Sequence, residues 1–377
     1  MNTLVFDTSI TGHHLEYIHH LYLGMAERKN VQYVIVIPDT FMNERHIYSW
    51  PDADNIKFDF LSKEELSSMS KKNILLSAWS RSKIVRKKVR EHEADSIFLI
   101  MLMAFIPFIL FVLPSKVKLS GIVYRIYLYE WKQMNWLRKA KEVVSFWLIS
   151  HSRHTDKVFI LNDPSAVLYL NKLYKTDHFA SLPDPFNEID YKPKNIRGEL
   201  GIKESQKMLL HFGGLSRRKG TITILDSIQL ISEEKCKNIA FVFAGNIYDD
   251  IRDEFYIKYN QIRSKCTIVV FDGFCSNENL YDLCYSCDLI LAPYSNSSQS
   301  SGIVNYANFF KKPVMGSRRG LLGKLIRKGH GITLDAINPV SLSSAISNFE
   351  CLFNTSNFSV DNSNKVFADA ILKNKHI

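Results

Sequence analysis

The sequence is poor in the residues that define several non-globular classes of protein: its 377 residues include only 16 glycines, 11 prolines and 6 cysteines. So little glycine and proline excludes a collagen-like repeat, and a hydrophobic fraction of 46% excludes a disordered tail protein. Six cysteines are too few for a disulfide-stapled miniprotein. The composition is therefore that of a globular protein. Because a domain typically has roughly 150 residues, the length predicts two domains.

A signal sequence is also missing, because the apolar residues 4–6 are followed at once by Asp7. Cys284 and Cys287 are the one close pair of cysteines, and they stand where a predicted helix runs into a strand. A redox-active pair usually follows a strand and opens a helix, so we interpret these two as packed, reduced thiols. We therefore expect a protein of the reducing cytoplasm.

A large excess of one charge sign is lacking as well. The 48 basic and 38 acidic residues give a net charge of +10, which favours an anionic partner such as a nucleotide phosphate, nucleic acid or an acidic membrane surface. This charge is too dilute for a nucleic-acid-binding face, and we expect no nucleic acid partner. No GxGxxG motif follows the first strand or residues 207–212, which argues against a dinucleotide oxidoreductase.

One long apolar run is present. Residues 96–114 carry no charge and are long enough to raise the question of a membrane span. Pro107 interrupts the run, and Ala94-Asp95 before it is typical of the turn into a buried parallel strand. We predict a buried strand over residues 97–103 and an apolar helix over 104–113, in preference to insertion in a membrane.

Short apolar segments alternate with amphipathic segments along the chain, which predicts an α/β protein with two doubly wound β/α domains. Proline and charge concentrate near residue 190. We therefore place one domain at 1–190 and a second at 191–360, with a tail at 361–377 that packs back on the first. The predicted strands are 3–6, 31–37, 97–103, 119–126, 157–161, 179–182, 207–212, 239–244, 267–271, 289–293, 313–316 and 331–334.

Glycines and cations gather after the strand at 207–212, where Gly213 and Gly214 precede Arg217, Arg218 and Lys219. Glycines let the backbone approach a ligand, and the cations stand before a predicted helix whose first amides attract anions. A solvated basic turn is the alternative interpretation. Because ligands gather at the carboxyl ends of parallel strands, we predict a diphosphate site here.

A second anion site is predicted in the serine-rich segment 293–302, directly before a helix at 302–310. In the simpler interpretation a serine hydroxyl caps this helix, which explains one serine but not five. Free amides at a helix start stabilise an exposed anion by about 0.3–1 kcal/mol. Two such sites on one domain indicate a nucleoside diphosphate held without a metal.

An ordered set of short motifs over residues 180–350 resembles the carboxyl-terminal half of the GT-B glycosyltransferases of family 4. No single motif is specific, and the order of the set carries the resemblance. Over residues 1–180 the resemblance is weaker, and Gly12 after the first strand is its main anchor. The motifs are Leu182-Pro-Asp-Pro, GGLSRRKG at 213–220, Ala244-Gly245, Asp272-Gly273, DLILAP at 288–293, Ser301-Gly302, Ala307, Pro313-Val314 and Gly320.

The resemblance implies two Rossmann-like domains facing an interdomain cleft, with a nucleoside-diphosphate sugar bound mainly by the second. Lys219, assisted by Arg218 or Arg217, would neutralise the departing diphosphate as the catalytic cations. Backbone at Asp272, Gly273 and Phe274 would contact the base. The residues whose backbone would hold phosphate are Gly213, Gly214, Ser300, Ser301, Gly302 and Ile303.

The same resemblance implies transfer with retention of anomeric configuration to a glycan or lipid-linked glycan, in the assembly of bacterial surface polysaccharide. No metal and no cofactor besides the sugar nucleotide would be needed. The chain departs from the family at its Glu-x7-Glu pair, which binds donor hydroxyls: Gln299 falls near the first place and Tyr306 or Ala307 at the second. Glutamine still hydrogen-bonds a hydroxyl but lacks the carboxylate charge.

Histidines cluster after the first predicted strand, at Gly12-His13-His14 and again at His19 and His20. This spacing does not suit a shared metal ion, because positions 13 and 20 of a helix lie about 10 Å apart, too far for both side chains to bind one ion. We predict that Gly12 and His13, with His14, contact donor phosphate or acceptor, His13 with a catalytic role. Surface histidines near a helix start are the alternative.

Two segments of the first predicted domain are basic and amphipathic. Residues 71–90 hold eight basic residues and no acid, and residues 129–150 mix three tryptophans with cations. Ordinary packing with solvated lysines explains either segment alone. Together they favour peripheral contact of a cytoplasmic protein with an anionic membrane surface, through cations such as Lys83, Lys87 and Lys88.

Two other functions stay open. A GT-B sugar-nucleotide epimerase would use the same fold but act on its donor without an acceptor. The missing glutamates also suit a non-catalytic GT-B partner subunit.

Overall fold

The computed structural model describes residues 1–11, 13–186, 189–349 and 364–373. The chain forms two units, one of Met1–Asn187 with Asn362–Ile377 and one of Glu188–Asp361, here called unit 1 and unit 2. Each contains a parallel sheet with helices on both faces. The prediction of two Rossmann-like, doubly wound domains is therefore confirmed.

Unit 1 is built on a seven-stranded sheet in the order β3-β2-β1-β4-β5-β6-β7. Its strands are β1 Asn2–Phe6, β2 Gln32–Pro38, β3 Ile56–Leu61, β4 Ser96–Leu99, β5 Lys118–Val123, β6 Thr155–Leu161 and β7 Phe179–Leu182. Its helices are α1 His13–Ala26, α2 Phe41–Glu44, α3 Lys63–Met69, α4 Ile74–Glu91, α5 Ile109–Val112, α6 Trp136–His151, α7 Pro164–Tyr174 and, from the end of the chain, α15 Asn364–Leu372.

Unit 2 is built on a six-stranded sheet in the order β10-β9-β8-β11-β12-β13. Its strands are β8 Lys207–Phe212, β9 Ile239–Ala244, β10 Thr267–Phe271, β11 Leu289–Ala292, β12 Val314–Ser317 and β13 Ile332–Leu334. Its helices are α8 Thr221–Leu230, α9 Glu233–Lys237, α10 Arg252–Ile262, α11 Asn277–Ser286, α12 Ile303–Phe309, α13 Gly320–Lys328 and α14 Pro339–Ser347.

The central strands are buried on both faces, which is why they appear in the sequence as continuous apolar runs. All six residues of β9 are buried, for example. The sequence does not predict β3, because Lys57 and Asp59 interrupt its apolar residues. This strand pairs only with β2 among the described strands and lies at the sheet edge, where charged side chains are tolerated.

The apolar run at 96–114 is folded into unit 1 differently from the prediction. Strand β4 ends at Leu99 rather than residue 103, and a 3₁₀ turn at Leu102–Ala104 follows. The predicted helix over 104–113 is reduced to the four residues of α5. Burial explains the hydrophobicity of Ile100 and Leu102 beyond the strand, whereas Met101 is exposed. No helix in the described ranges has both the length and the hydropathy that spanning a bilayer requires.

The described part of the chain end packs within unit 1, where α15 lies against α1. Contact is close, because a Cβ on Gly24 of α1 would come within 2.8 Å of the Cβ of Ala368. Phe367 and Ile371 are buried in the core cluster that also includes Tyr17. The end of the chain thus completes one face of the unit 1 sheet.

Five cysteines of unit 2 lie among the described residues, and one of them, Cys275, is a half-buried free thiol. Cys284 and Cys287 are buried free thiols, and burial raises the pKa of Cys287 to about 12, so both are packed rather than reactive. Cys236 and Cys266 form a disulfide between α9 and the start of β10, which the sequence does not predict.

Candidate functional site

The sheet order of unit 2 places a ligand crevice between β8 and β11. The chain runs outward from β8 to β9 on one side and from β11 to β12 on the other, which makes this pair the topological switch point. In doubly wound sheets ligands bind at the carboxyl ends of the strands at that point. The two loops that emerge there are 213–220 and 293–302, the predicted anion sites.

Lys219 lies directly above the first glycine of its loop. A Cβ placed on Gly213 would overlap the Lys219 Nζ atom, and Gly213 has a φ of 90°, which favours glycine. The side chain of Ser216 accepts a hydrogen bond from the Lys219 amide at 3.4 Å and caps the short 3₁₀ turn that carries the cations. The loop therefore folds its ammonium group back over the end of β8.

Tyr294 connects the two loops. The Nζ atom of Lys219 lies 5.7 Å from the Tyr294 ring centroid, and the guanidinium carbon of Arg218 lies 5.9 Å from it. The Tyr294 hydroxyl lies 3.3 Å from Ser301 Oγ. The backbone amide of Ser295 donates to the Arg218 carbonyl at 3.0 Å. Cations and the segment before α12 therefore meet around one aromatic ring.

Helix α12 starts after a glycine. Its N-cap residue is Gly302, which makes no side-chain capping hydrogen bond. Ile303 is buried in the core, so only its backbone is available to a ligand. Ser300 is half-buried in the same segment.

A buried histidine supports the cationic loop from below. His211 Nδ1 lies 2.9 Å from the Leu291 carbonyl, and its Nε2 lies 3.0 Å from Thr221 Oγ1. The Ser216 amide in turn donates to Thr221 Oγ1 at 3.1 Å. Burial lowers the pKa of His211 to about 4, so the ring is neutral near pH 7 and ties β8 to β11 and to the loop.

Two of the predicted donor-binding residues, Arg217 and Asp272, have side chains engaged in ion pairs. Arg217 reaches Glu254 on α10 at 2.5 Å, away from the Tyr294 ring that its neighbour Arg218 approaches. Asp272 pairs with Arg252 at 2.5 Å and accepts from the Ile247 amide at 3.1 Å. The hydrogen bond from Arg252 lowers the pKa of the Asp272 carboxyl. Asp272 thus shapes the loop after β9.

The remaining predicted donor residues of unit 2 lie at the same edge of the sheet, at the ends of β8, β10 and β11. Gly214 packs beneath Tyr248, whose ring would lie 2.9 Å from a Cβ at this position. Gly273 has open space around it, and Phe274 is 89% exposed. Gln299 is exposed, and the Tyr306 ring packs edge-on against Phe212 at 5.5 Å.

Unit 1 has its own switch point, between β1 and β4. Asp7 follows β1 and is buried, and its Oδ2 atom accepts from His14 Nδ1 at 2.6 Å. Its Oδ1 atom accepts from the amides of Thr8 and Ser9. The Asp7 carboxylate fixes the orientation of the His14 ring, which is 19% exposed. Because Nδ1 is bound to Asp7, the other ring nitrogen, Nε2, is the one that can meet a ligand. Gly12 and the side chain of His13 lie outside the described residues.

Two tyrosines, Tyr17 and Tyr124, extend the pair formed by His14 and Asp7. The Tyr124 ring stacks on those of His14 and Tyr17, with centroids 6.3 and 6.0 Å apart. The Tyr17 hydroxyl hydrogen-bonds Asp184, 167 positions away in sequence. The Tyr124 hydroxyl is buried without a hydrogen-bond partner among the described residues, and burial raises its pKa.

The other histidines of α1 serve packing. His19 Nε2 lies 2.9 Å from the Ser49 carbonyl, and the His20 ring is buried against Phe367. Elsewhere in unit 1, ligand atoms of Asp59, Glu91 and His92 lie within 4.8 Å of one another. The Lys88 ammonium lies 2.9 Å from Asp59, so a cation of the protein already neutralises this group.

The comparison with known families bears on unit 2. Residues 193–351 match the family model for glycosyl transferases group 1. Over these residues unit 2 is similar to a group 1 glycosyltransferase domain. The Lys219 loop and the segment around Tyr294 both lie inside the matched residues. No curated protein sequence matches the chain.

Similar solved structures extend over both units. HepE from Anabaena, in complex with UDP-glucose, has a TM-score of 0.65 at 15% identity and covers 100% of this chain and 97% of its own. WaaG, a glycosyltransferase involved in lipopolysaccharide biosynthesis, has a TM-score of 0.60 at 15% identity, with coverage of 98% and 94%. Sucrose-phosphate synthase from Thermosynechococcus elongatus has a TM-score of 0.66 at 12% identity, with coverage of 99% and 94%. These likenesses confirm the GT-B fold, whereas the finer assignment to family 4 stays a prediction.

Proposed function

We propose that unit 2 binds the diphosphate of a sugar nucleotide and that the protein transfers the sugar to a glycan or lipid-linked glycan in surface polysaccharide assembly. One observation carries the proposal. Within the residues that match the family, the Lys219 ammonium and the Arg218 guanidinium lie against Tyr294, whose hydroxyl reaches Ser301. Positive charge is thereby concentrated at the switch point, where a doubly wound sheet binds its ligand.

The chemistry follows from that charge. As the bond from the sugar to the diphosphate breaks, negative charge grows on the leaving oxygen, and preorganised cations stabilise it. Lys219 and Arg218 supply two positive charges without a metal ion. The departing diphosphate then accepts the proton of the acceptor hydroxyl, and the anomeric configuration is retained.

The donor sugar is held without the family's two carboxylates. Gln299 is exposed beside this loop, and its amide both donates to and accepts from hydroxyl groups. The backbone at Gly273 is open to a flat ligand, and the exposed Phe274 ring offers a stacking surface for the base.

The acceptor is assigned to unit 1. His14 stands at the switch point of that sheet with its ring fixed by Asp7, so its second nitrogen is poised to hydrogen-bond a sugar hydroxyl. The protein acts on the cytoplasmic side of the cell, where sugar nucleotides are available.

Calorimetric titration with UDP, GDP and ADP tests the proposal. We expect one of them to bind the wild-type protein with a defined stoichiometry and to protect it against thermal unfolding. Binding of none of the three nucleotides, by a protein shown to be folded, would contradict a sugar-nucleotide function.

A second candidate has an observation in its favour: residues 298–307 contain no acid. A protein without these carboxylates could bind the nucleotide as a non-catalytic partner subunit. Alternatively, it could act on the donor alone as an epimerase. Incubating the bound sugar nucleotide with and without a lipid-linked glycan extract separates these functions. Transfer supports the enzyme, isomerised donor without acceptor identifies an epimerase, and tight binding with neither reaction identifies a partner subunit.

A further inference from the structure

Large apolar side chains are exposed at the starts of α4 and α6 and on the short α5 of unit 1. Ile74 is 71% exposed at the start of α4, Phe111 is 68% exposed on α5, and Trp136 is 74% exposed at the start of α6. Leu75, Leu76 and Leu137 are also exposed. We call these six residues the apolar rim. Apolar residues scattered singly on a surface are ordinary, but a group on neighbouring helices indicates an interaction site.

The three helices lie on one face of the sheet. The chain passes from β3 to β4, β5 and β6 in one direction along the sheet order, and right-handed crossovers then place the connecting helices on a single side. One core cluster accordingly contains buried residues of α4, α5 and α6. Contact between α4 and the segment before α5 is direct, since the rings of Trp79 and Phe108 lie 5.4 Å apart.

Helix α6 has two apolar faces. Phe146 and Ile149 are buried in the core, as expected for a helix that covers a sheet. Leu137, Val144 and Trp147 form a second stripe on the exposed side, with 52–59% of each side chain exposed. An ordinary surface helix is polar on its outer side, so this stripe indicates an apolar surrounding that the described residues do not supply.

Cations outnumber acids around these side chains, where Glu130 is buried and Glu142 is half-buried. Residues 71–90, 96–129 and 131–141 contain no aspartate or glutamate. Lys83 and Lys139 lie over the rings of Trp79 and Trp131, at 5.0 and 5.1 Å. Four further lysines on this face are exposed and make no ion pair within the part of the chain that the structure describes: Lys71, Lys72, Lys132 and Lys141.

Two lysines expected at a membrane surface do not belong to this set. Lys88 is buried and lies 2.9 Å from Asp59, while Lys87 lies 3.0 Å from Glu65. Both therefore stabilise the packing of α4 on β3 and α3. The prediction that Lys88 contacts lipid is therefore wrong, whereas that for Lys87, whose side chain is 57% exposed, stays a prediction.

We propose that the apolar rim and its four free lysines dock unit 1 onto the surface of an anionic phospholipid bilayer. Lysines attract anionic headgroups, and tryptophan and leucine enter the boundary between headgroups and acyl chains. A second copy of the chain fits less well, because a two-fold interface would set the same lysines against one another. The inference deepens the proposed function, since a lipid-linked acceptor lies at that surface, but its test does not involve sugar transfer.

Sedimentation with vesicles tests the proposal on the full chain. The wild type should bind vesicles of phosphatidylcholine mixed with phosphatidylglycerol and not vesicles of phosphatidylcholine alone. Replacing Lys71, Lys72, Lys132 and Lys141 together by glutamine should weaken binding by more than about tenfold, because each cation near an anionic surface contributes roughly a factor of five. Trp136→Ser with Leu137→Ser should weaken it while the net charge is unchanged.

The matched control removes the same charge elsewhere. Lysines 203, 237, 311 and 328 are exposed in unit 2, and their joint replacement by glutamine should leave vesicle binding within about twofold of wild type. Equal losses in the two quadruple variants, or no vesicle binding by the wild type, would overturn the proposal. So would a wild-type dimer in sedimentation equilibrium that Trp136→Ser makes monomeric, because a second copy would then occupy the surface. Unchanged nucleotide affinity in every variant separates this outcome from failure of the proposed function.

Discussion

Tyr294 lies beneath Lys219, with the ammonium nitrogen 5.7 Å from the ring centroid. This contact joins a loop that follows β8 to a loop that follows β11, two strands that are neighbours in space but separated by some 80 positions in sequence. A cation over an aromatic face is stabilised by about 0.5–2 kcal/mol, which fixes its position without neutralising its charge. Lys219 therefore stays available to an anionic ligand.

Gly213→Ala tests whether the position of Lys219 matters. A Cβ at Gly213 would overlap Lys219 Nζ, so the ammonium group must move. We expect nucleotide affinity to fall at least ~10-fold, the order expected for the loss of a charge-assisted contact. Gly201→Ala is the control, because Gly201 also has a positive φ, of 67°, but its Cβ would meet nothing within 4 Å. Equal affinities in the two variants would speak against the geometry.

The buried His211 predicts a pH dependence of stability. Its pKa is about 4 in the folded protein, against 6.5 for an ordinary histidine. Between these values the unfolded chain binds a proton that the folded protein does not, so the free energy of unfolding falls as the pH is lowered from 6.5 towards 4. The full effect is on the order of 3 kcal/mol.

Chemical denaturation of the wild type and of His211→Gln at a series of pH values measures this effect. The variant keeps groups that can bond the Leu291 carbonyl and Thr221 but has no proton to gain. Its unfolding free energy should therefore fall less than that of the wild type across this window. Parallel curves for the two proteins would show that His211 does not titrate in this way.

His14 predicts a separation of binding from transfer. We expect His14→Asn to lower transfer to the acceptor by at least ~10-fold while nucleotide affinity changes less than about twofold, since the hydrogen bond it removes is assigned to the acceptor. His46→Asn, at an exposed position of the same unit, is the control. A parallel loss of nucleotide affinity would assign His14 to the donor instead.

The fold was predictable where burial makes a strand uniformly apolar. Strands β8, β9 and β10 have the predicted bounds, because their runs end at glycine or polar residues. Strand β3 was not predictable, because it alternates with Lys57 and Asp59 at the sheet edge. In β4 the apolar run continues past Leu99, where burial in a loop demands the same residues as a strand does.

The candidate site was predictable to a different degree in the two units. In unit 2 each cation or serine cluster directly follows a strand, so local sequence identifies the loops. The ion pairs that engage Arg217 and Asp272 depend on Glu254 and Arg252 of α10, and spacing alone gives no sign of them. In unit 1 the link between Tyr17 and Asp184 spans almost the whole unit, and only the folded sheet brings the two together.

Nucleotide affinity of Lys219→Ala tests the central claim most directly. Calorimetric titration with whichever of UDP, GDP and ADP binds the wild type should show affinity at least ~10-fold lower, because a charge-assisted contact is lost. Arg217 lies two positions before Lys219 and pairs with Glu254, and Lys328 lies on α13; Arg217→Ala and Lys328→Ala should each retain affinity within about threefold. A folded Lys219→Ala protein that binds the nucleotide as tightly as the wild type would contradict the account.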